Sequence, residues 1–420
     1  MSNKGNYRDL VRSGVGAIRT EAYGLYERLC QIPAEATTGE GYEATLEVVE
    51  TELSKIGVRS TEITVPTEVL ERHWGPDLAK SREYIPVVVR APRKLIFARL
   101  GDADTDPPAV HLTGGYDVWR YAIQERAALA TQLMALRVLT AAGFDFAGRL
   151  CFSATPDNHL GGDTGAGYLV EQNLGRAPIV VVGAMGGANA VTLGYKGKLW
   201  ARLIVSGKAA HGSRPDDGVN AIDQMAIALN EIRRLDDRFR GVRSVWPIWP
   251  DSARRPTVAA CRIEANHDGI EIPDRCVAYL DRRIMPEESI EAARQELISV
   301  IKGAPLHPEC HAQLEFVRVV SNDVQDPTSP LVKTLQSNIR LVTGSEGRTI
   351  VWSNYSGFRL FKQVWGAEAV GYGAGKPDLQ LGPVPVDSLA QSIEVLCLTI
   401  LDLVDPDRDC QFSAAATATG

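Results

Sequence analysis

The stretch 153–166 (SATPDNHLGGDTGA) limits what this chain can fold into more than any other part of the sequence. An apolar, β-prone run at 148–153 precedes it, and a helix-like pattern follows its glycines. Open α/β sheets bind ligands beyond the carboxyl ends of their strands, which is where such a turn would lie. Asp157, Asn158 and His159 would supply an acid, an amide and an imidazole there. The pattern also fits an ordinary polar turn, so the rest of the chain has to decide.

Length and composition predict a globular protein of two domains. The 420 residues are too many for one simple core, and 45% apolar with 23% charged residues is typical of globular chains. The net charge of −7 disfavours nucleic acid or an anionic membrane as a partner. No apolar run reaches the length of a membrane span, and the first residues lack an apolar signal-peptide core.

The seven cysteines are scattered and form no C-x-x-C pair. Neither a disulfide framework nor a zinc ribbon is therefore expected. Together with the missing signal peptide, this predicts a cytoplasmic protein.

The first part of the chain alternates between strand-like and helix-like patterns. Helices are predicted at 7–31, 43–56, 125–142 and 165–172, and strands at 60–65, 85–90, 95–100, 108–113, 148–153 and 178–182. Such alternation favours a mainly parallel sheet covered by helices.

The pattern changes near residue 195. Strands at 199–208, 257–265, 276–284 and 312–320, with helices at 220–235 and 289–302, give the order β-α-β-β-α-β. Further elements are predicted at 330–343, 348–351, 367–372 and 388–404. The fold class is thus α/β, with residues 1–195 plus 319–420 forming the larger domain and residues 196–318 forming an inserted one.

Several motifs then carry a family resemblance. Residues 113–118 (TGGYDV) resemble a G-H-x-D-V motif, residues 155–167 resemble a D-E-E-x-G-G motif, and residues 211–221 (HGSRPDDGVNA) resemble the beginning of a lid domain. These are motifs of the two-domain co-catalytic zinc hydrolases that include acetylornithine deacetylase, succinyl-diaminopimelate desuccinylase and the aminoacylases. The resemblance implies that the inserted domain is a lid and dimerisation domain, and that the protein is a homodimer.

The resemblance also implies that most zinc ligands of the family are missing. The first ligand histidine corresponds to Gly115, the bridging aspartate falls near Gln124, and the general-base glutamate falls on Asn158. The next ligand is replaced by His159, and only Asp117 is unchanged. Because zinc needs several deprotonatable donors that converge, we expect the two-metal centre to be absent.

The candidate catalytic residues are His159, Asp117, Asn158 and His211. A carboxylate beside an imidazole raises the imidazole pKa and fixes its tautomer, which suits general acid–base catalysis. An amide such as that of Asn158 can polarise a carbonyl group. The role of His211 comes from the resemblance, in which the matching histidine reaches into the partner's active site and supports the oxyanion.

The candidate substrate-binding residues are Gln124, Asn266, Arg282, Arg283, Tyr355 and Asp378. The resemblance implies that Asn266 and one of the two arginines contact polar or carboxylate groups. Arginine suits a carboxylate because its planar fork donates two parallel hydrogen bonds. The alternative for these arginines is a pair of strand residues that form local salt bridges.

Three hypotheses follow. The first is an enzyme with a rebuilt, metal-free centre that needs no cofactor and acts on the amide-like C–N bond of a small carboxylate-bearing substrate, by hydrolysis or a related acyl or ring-forming step. The second keeps a single divalent metal at His159, Asp117 and Asp378. The third is a catalytically inactive binding or scaffold protein that retains the dimeric lid.

Overall fold

The structure is a computed structural model that describes residues 4–74, 91–101, 107–117, 124–265, 270–354, 356–376, 378–379 and 382–404. Its helices are α1 (Lys4–Gln31), α2 (Tyr42–Lys55), α3 (Thr67–Trp74), α4 (Gln124–Ala141), α5 (Ala166–Glu171), α6 (Ala221–Phe239), α7 (Ile290–Lys302), α8 (Pro330–Thr343), α9 (Phe358–Trp365) and α10 (Val386–Val404). None of these helices is both long and apolar enough to cross a membrane.

The strands are β1 (Ser60–Thr64), β2 (Lys94–Leu100), β3 (Val110–Gly115), β4 (Leu150–Thr155), β5 (Ile179–Gly183), β6 (Ala190–Tyr195), β7 (Gly197–Ser206), β8 (Ala210–His211), β9 (Ile248–Trp249), β10 (Thr257–Ala265), β11 (Glu271–Ile272), β12 (Arg275–Ile284), β13 (His311–Val320), β14 (Asp323–Val324), β15 (Arg348–Trp352) and β16 (Glu368–Tyr372). The predicted strand at 85–90 lies outside the described residues.

The chain divides into two compact units. The first comprises Met1–Gly194, Gln325–Ile350 and Ser356–Gly420, and the second comprises Tyr195–Val324 and Val351–Tyr355. The predicted boundaries, between residues 195 and 196 and between 318 and 319, lie within six residues of these. The return of 351–355 to the second unit has no signal in the sequence.

The large sheet of the first unit has the strand order β1-β2-β4-β3-β5-β16-β6-β15. Its centre is parallel, since β3 pairs in parallel with β4 and β5, and β16 pairs in parallel with β5. Strands β1 and β2 form an antiparallel edge. The prediction of a mainly parallel sheet is therefore confirmed, and the carboxyl ends of β3, β4, β5 and β16 lie at one edge.

The central strands are buried because their sequences are almost continuously apolar. Every residue of β3 and β4 is buried, as expected for parallel strands that helices cover. Helices α4 and α10 pack against β3, and α9 packs against β16. This packing fixes the strand ends from which the loops of the candidate site extend.

The second unit has the predicted β-α-β-β-α-β arrangement. Its antiparallel sheet has the order β10-β12-β7-β13, and the apolar faces of α6 and α7 pack against it. Strand β7 alternates between buried and half-buried residues, as in a sheet with helices on one face only. Asn220 and Ser289 cap the two helices by accepting backbone N–H groups.

Three elements of the first unit were not predicted: α3, α9 and β6. Both helices have only eight residues, too short for a helical period to stand out from a loop. Strand β6 lies one residue before β7, and the predicted strand at 199–208 covered only the second of the two.

Candidate active site

The site is built at the carboxyl ends of β3 and β4. These strands pair in register from Val110 and Leu150 to Gly115 and Thr155, so the residues that follow them are neighbours. Asp117 follows β3, and the turn containing Asn158 and His159 follows β4. Glu125 joins them from the first turn of α4.

The turn after β4 depends on a left-handed residue. Asp157 has φ 59° and ψ 24°, a conformation that side chains other than glycine seldom adopt. Its carbonyl accepts the N–H groups of Leu160 and Gly162, which closes the turn. The backbone N–H groups of Asn158 and His159 consequently point the same way, towards Asp117.

Asp117 receives both of these N–H groups. The N–H of Asn158 lies 2.9 Å from Oδ1, and the N–H of His159 lies 3.1 Å from Oδ2. The carboxyl group is fully buried, and burial raises the pKa of Asp117 to about 6, although His159 acts in the opposite direction. Both oxygens thus hold the turn in place.

The imidazole of His159 is paired with Glu125. Nε2 of His159 lies 2.8 Å from Oε2 of Glu125, so the two side chains form a close ion pair. The N–H group of the ring does not point straight at the oxygen, so the contact is not a linear hydrogen bond. Burial lowers the pKa of His159, but Glu125, Asp117 and Glu35 outweigh it and raise the pKa to about 9. The imidazolium is therefore the form present at neutral pH.

This arrangement corrects one prediction. The carboxylate expected beside the His159 imidazole was Asp117, yet Asp117 contacts only the backbone of His159, and Glu125 is the partner of the ring. Glu125 follows Gln124, the residue aligned with the family's bridging aspartate. The available signal was therefore an acid in the first turn of a predicted helix.

Asn158 lies where a side chain of residue 115 would begin. A Cβ atom placed on Gly115 would lie 2.8 Å from Cβ of Asn158 and 3.2 Å from its Nδ2. The same Nδ2 donates to Oε2 of Glu125 at 3.3 Å. Glycine at 115 and asparagine at 158 are therefore coupled, because any larger residue at 115 would displace the asparagine.

A second layer of buried charge supports the turn. The carboxylate of Asp157 accepts hydrogen bonds from the hydroxyls of Tyr42 (2.9 Å) and Thr164 (2.7 Å) and from Nε of Arg93 (3.1 Å). Asp157 and Arg93 are both fully buried. The Asp157 carboxylate has four such contacts in all, because Nε of Arg93 contacts both of its oxygens. These contacts hold a strained turn that would otherwise relax.

Arg93 was not predicted from the sequence. Its remaining N–H groups donate to the carbonyls of Ala36, Thr38 and Ala91, and its guanidinium faces the rings of Tyr42 and Trp74 at 5.1 and 5.2 Å. This side chain ties the loop before α2 to the turn after β4.

The remaining predicted residues are not drawn together by the described contacts. His211 is exposed in the second unit, where its Nδ1 contacts the Ser213 hydroxyl at 2.8 Å. Asp378 is exposed in the first unit. Asn266, Tyr355 and the side chain of Gln124 lie outside the described residues.

The two arginines expected to contact substrate, Arg282 and Arg283, both lie on β12 beside acidic neighbours. The side chain of Arg282 is fully buried in β12, bound to Glu288 at 2.5 Å and Glu296 at 3.3 Å, and it lies over the ring of Phe239. Arg283 forms a two-pronged contact with Asp281. The terminal nitrogens of Arg282 and the guanidinium of Arg283 therefore have local partners, as in the alternative of strand residues that form local salt bridges.

The donors at this site do not fit the two zinc ions that the family resemblance implies. Gly115 offers no ligand atom, Asn158 is neutral, the oxygens of Asp117 accept backbone N–H groups, and Nε2 of His159 lies against the Glu125 carboxylate. The described residues also contain no group of three or more His, Cys, Asp or Glu side chains arranged to hold a metal ion.

Comparison with known proteins places the chain among peptidases and amidohydrolases. Residues 193–307 match the M20 peptidase dimerisation domain. A putative succinyl-diaminopimelate desuccinylase of Mycobacterium tuberculosis is 26% identical over 212 residues, covering 50% of this chain and 54% of the relative. A LysW-lysine hydrolase of Deinococcus radiodurans is 26% identical over 271 residues, covering 61% and 72%. The chain spans about half the length of the first of these relatives.

Solved structures share the fold over nearly the whole chain. A tripeptidase from Staphylococcus aureus has 17% sequence identity and a TM-score of 0.66, covering 92% of this chain and 98% of its own. A metallo-carboxypeptidase of the M20 family from Sulfolobus solfataricus has 16% identity and a TM-score of 0.62, covering 91% and 98%. At these identities the likeness concerns the fold alone.

Proposed function

The chain belongs to the M20 family of peptidases and amidohydrolases, and we propose that it acts on an amide-like C–N bond of a small carboxylate-bearing substrate through side chains instead of two metal ions. The observation that carries this proposal is the buried pair of His159 and Glu125. His159 corresponds in the family resemblance to a metal ligand, and the preceding Asn158 corresponds to the general base. The proposal covers hydrolysis first, with related acyl or ring-forming steps as variants of the same chemistry.

The two members of the pair divide the acid and base roles. The Glu125 carboxylate accepts a proton from the attacking nucleophile, and the His159 imidazolium donates one to the leaving nitrogen. A pKa of about 9 makes His159 an acid at neutral pH, so it is not the base. The amide of Asn158 adjoins both groups and polarises the carbonyl oxygen that gains charge.

Charge balance supports a centre without metal ions. Asp117 and Glu125 bring two negative charges to the site, and the His159 imidazolium and the buried Arg126 guanidinium bring two positive charges. Two divalent cations would add four positive charges where the available donors are already used. We therefore expect that the enzyme needs no metal cofactor.

The relatives suggest which substrates to try first. Their names describe a desuccinylase and a LysW-lysine hydrolase, and the matching family model is a peptidase dimerisation domain. N-acyl amino acids and short peptides are accordingly the proposed class. The match of 193–307 to a dimerisation domain supports a homodimer formed through the second unit.

The test measures turnover of a panel of N-acetyl and N-succinyl amino acids and dipeptides, and it detects turnover as the release of free amine. His159→Gln and Glu125→Gln should each lower kcat by about 10²- to 10⁴-fold, the range that positioned acid–base groups contribute. His307→Gln, at an exposed histidine of the second unit, is the matched control and should not change turnover. Undiminished turnover in both site variants would refute the assignment, and saturable binding without turnover would favour a non-catalytic protein.

A further inference from the structure

Two buried arginines of the first unit, Arg93 and Arg126, have sharply different contacts. Arg93 uses all three guanidinium nitrogens, with a carboxylate and three carbonyls as acceptors. Arg126 is equally buried, yet its two hydrogen bonds are long: 3.4 Å to Oγ1 of Thr45 and 3.3 Å to the carbonyl of Ile32. Its Nε has no hydrogen-bond acceptor among the residues that the structure describes.

No described carboxylate forms an ion pair with Arg126. The acid with the largest electrostatic effect on the pKa of Arg126 is Asp117, whose two oxygens already accept the backbone N–H groups of the turn. Guanidinium groups are almost never buried without a paired anion, because desolvation of the cation is so unfavourable. The contacts of Arg126 thus leave donors unused at a fixed, dry position.

The surroundings of Arg126 connect it to both the site and the surface. It follows Glu125 in the first turn of α4, so the same turn carries the His159 partner and this cation. Its contacts to Ile32, and its electrostatic interaction with Cys30, involve half-buried residues at the end of α1. Burial lowers the pKa of Arg126, yet a guanidinium keeps its charge at any working pH.

We propose that Arg126 binds the carboxylate of the substrate. This inference rests on the proposed function and names the residue that gives it carboxylate specificity. Arg282 was one of the two arginines expected to do so, but its terminal nitrogens contact the carboxylates of Glu288 and Glu296. The terminal nitrogens of Arg126 have only long hydrogen bonds to uncharged acceptors, so its planar fork can donate to two carboxylate oxygens at once. A bound carboxylate would then supply the direct anionic partner that Arg126 lacks among the described residues.

The experiment is a binding titration that needs no turnover. Sodium acetate and N-acetylglycine are titrated into the full chain at constant ionic strength, with acetamide as the uncharged match to acetate, and binding is followed by calorimetry and by the melting temperature. Wild-type protein should bind both carboxylates saturably and should ignore acetamide. Arg126→Gln should weaken both affinities at least tenfold, and Arg126→Lys, which keeps the charge without the fork, should weaken them too.

Two further variants separate this inference from the proposed function. His159→Gln should keep carboxylate binding within a few-fold while losing turnover, and Arg238→Gln, at an exposed helix position, should change neither. The inference is overturned if wild-type protein shows no saturable carboxylate binding, or if Arg126→Gln binds as well as wild type. If Arg126→Gln does not fold, undiminished binding by Arg126→Lys overturns the fork-based recognition in the same way.

Discussion

Nε2 of His159 lies 2.8 Å from Oε2 of Glu125, across the space between the turn after β4 and the first turn of α4. The pair joins two elements that are 34 residues apart in the sequence. Since both groups are nearly buried, their charges affect the stability of the fold as well as any chemistry at the site.

The first prediction concerns stability in alkaline solution. The pKa of His159 is raised from 6.5 to about 9, so its stabilising contribution is complete below pH 6.5 and is lost as pH rises through 9. With each pKa unit equivalent to about 1.4 kcal/mol, the free energy of unfolding should fall by up to about 3 kcal/mol over this window. Urea unfolding at pH values between 6 and 10 measures this fall in the free energy of unfolding. In the His159→Gln variant the free energy of unfolding should fall less over this pH range. A fall as large as that of the wild-type protein would contradict the assignment of the effect to His159.

The second prediction concerns acid. His111 is buried, with Nδ1 2.8 Å from the carbonyl of Gly175 and Nε2 2.9 Å from the Ser153 hydroxyl, and burial lowers its pKa to about 4. Its contribution is therefore complete above pH 6.5 and is lost as pH falls through 4. Unfolding curves from pH 7 to 4 should show that the free energy of unfolding falls by up to about 3 kcal/mol. The His111→Asn variant should not show this fall. A variant that declines as steeply as wild type would exclude His111 as the source.

The third prediction concerns the support beneath the turn. Arg93→Gln leaves the buried Asp157 carboxylate without its cation and should cost about 3–5 kcal/mol of unfolding free energy. Adding Asp157→Asn should recover part of this loss, which a double-mutant cycle in urea would quantify. The exposed pair of Arg234 and Glu231 is the control, and its removal should change stability little. Additive effects of the two buried substitutions would show that the pair does not act as a unit.

The fourth prediction concerns the coupling of Gly115 and Asn158. Gly115→Ala should cost about 1–3 kcal/mol through overpacking, because the new Cβ would lie 2.8 Å from Cβ of Asn158. Asn158→Gly should relieve that cost in the double variant. Gly16→Ala is the control, since no atom lies within 4 Å of the added Cβ in α1. A neutral Gly115→Ala would mean that Asn158 moves freely, and that the site could accept a larger residue at 115.

The sequence predicted most of the fold because its apolar periodicity is strong. The parallel centre and the β-α-β-β-α-β unit depend on long, regular elements, and the resemblance to known motifs added the identity of the inserted domain. Short elements such as α9 were missed because eight residues give too little periodicity.

The site was predicted only in part. Asp117, Asn158 and His159 do come together, since the register of β3 and β4 makes the residues after each strand neighbours. Which carboxylate faces the His159 ring could not be read from spacing, because that depends on where α4 begins. Arg93 gave no signal either, since a single arginine before a strand resembles any charged strand end.

The central claim is that Glu125 and His159 carry out the chemistry without metal ions. The most direct measurement is turnover of an N-acyl amino acid by wild-type and Glu125→Gln protein, before and after dialysis against EDTA, with metal content determined by elemental analysis. The account predicts that wild-type turnover survives when metal is far below one ion per chain, and that Glu125→Gln abolishes it. Turnover that disappears on dialysis and returns with two zinc ions per chain would contradict the account.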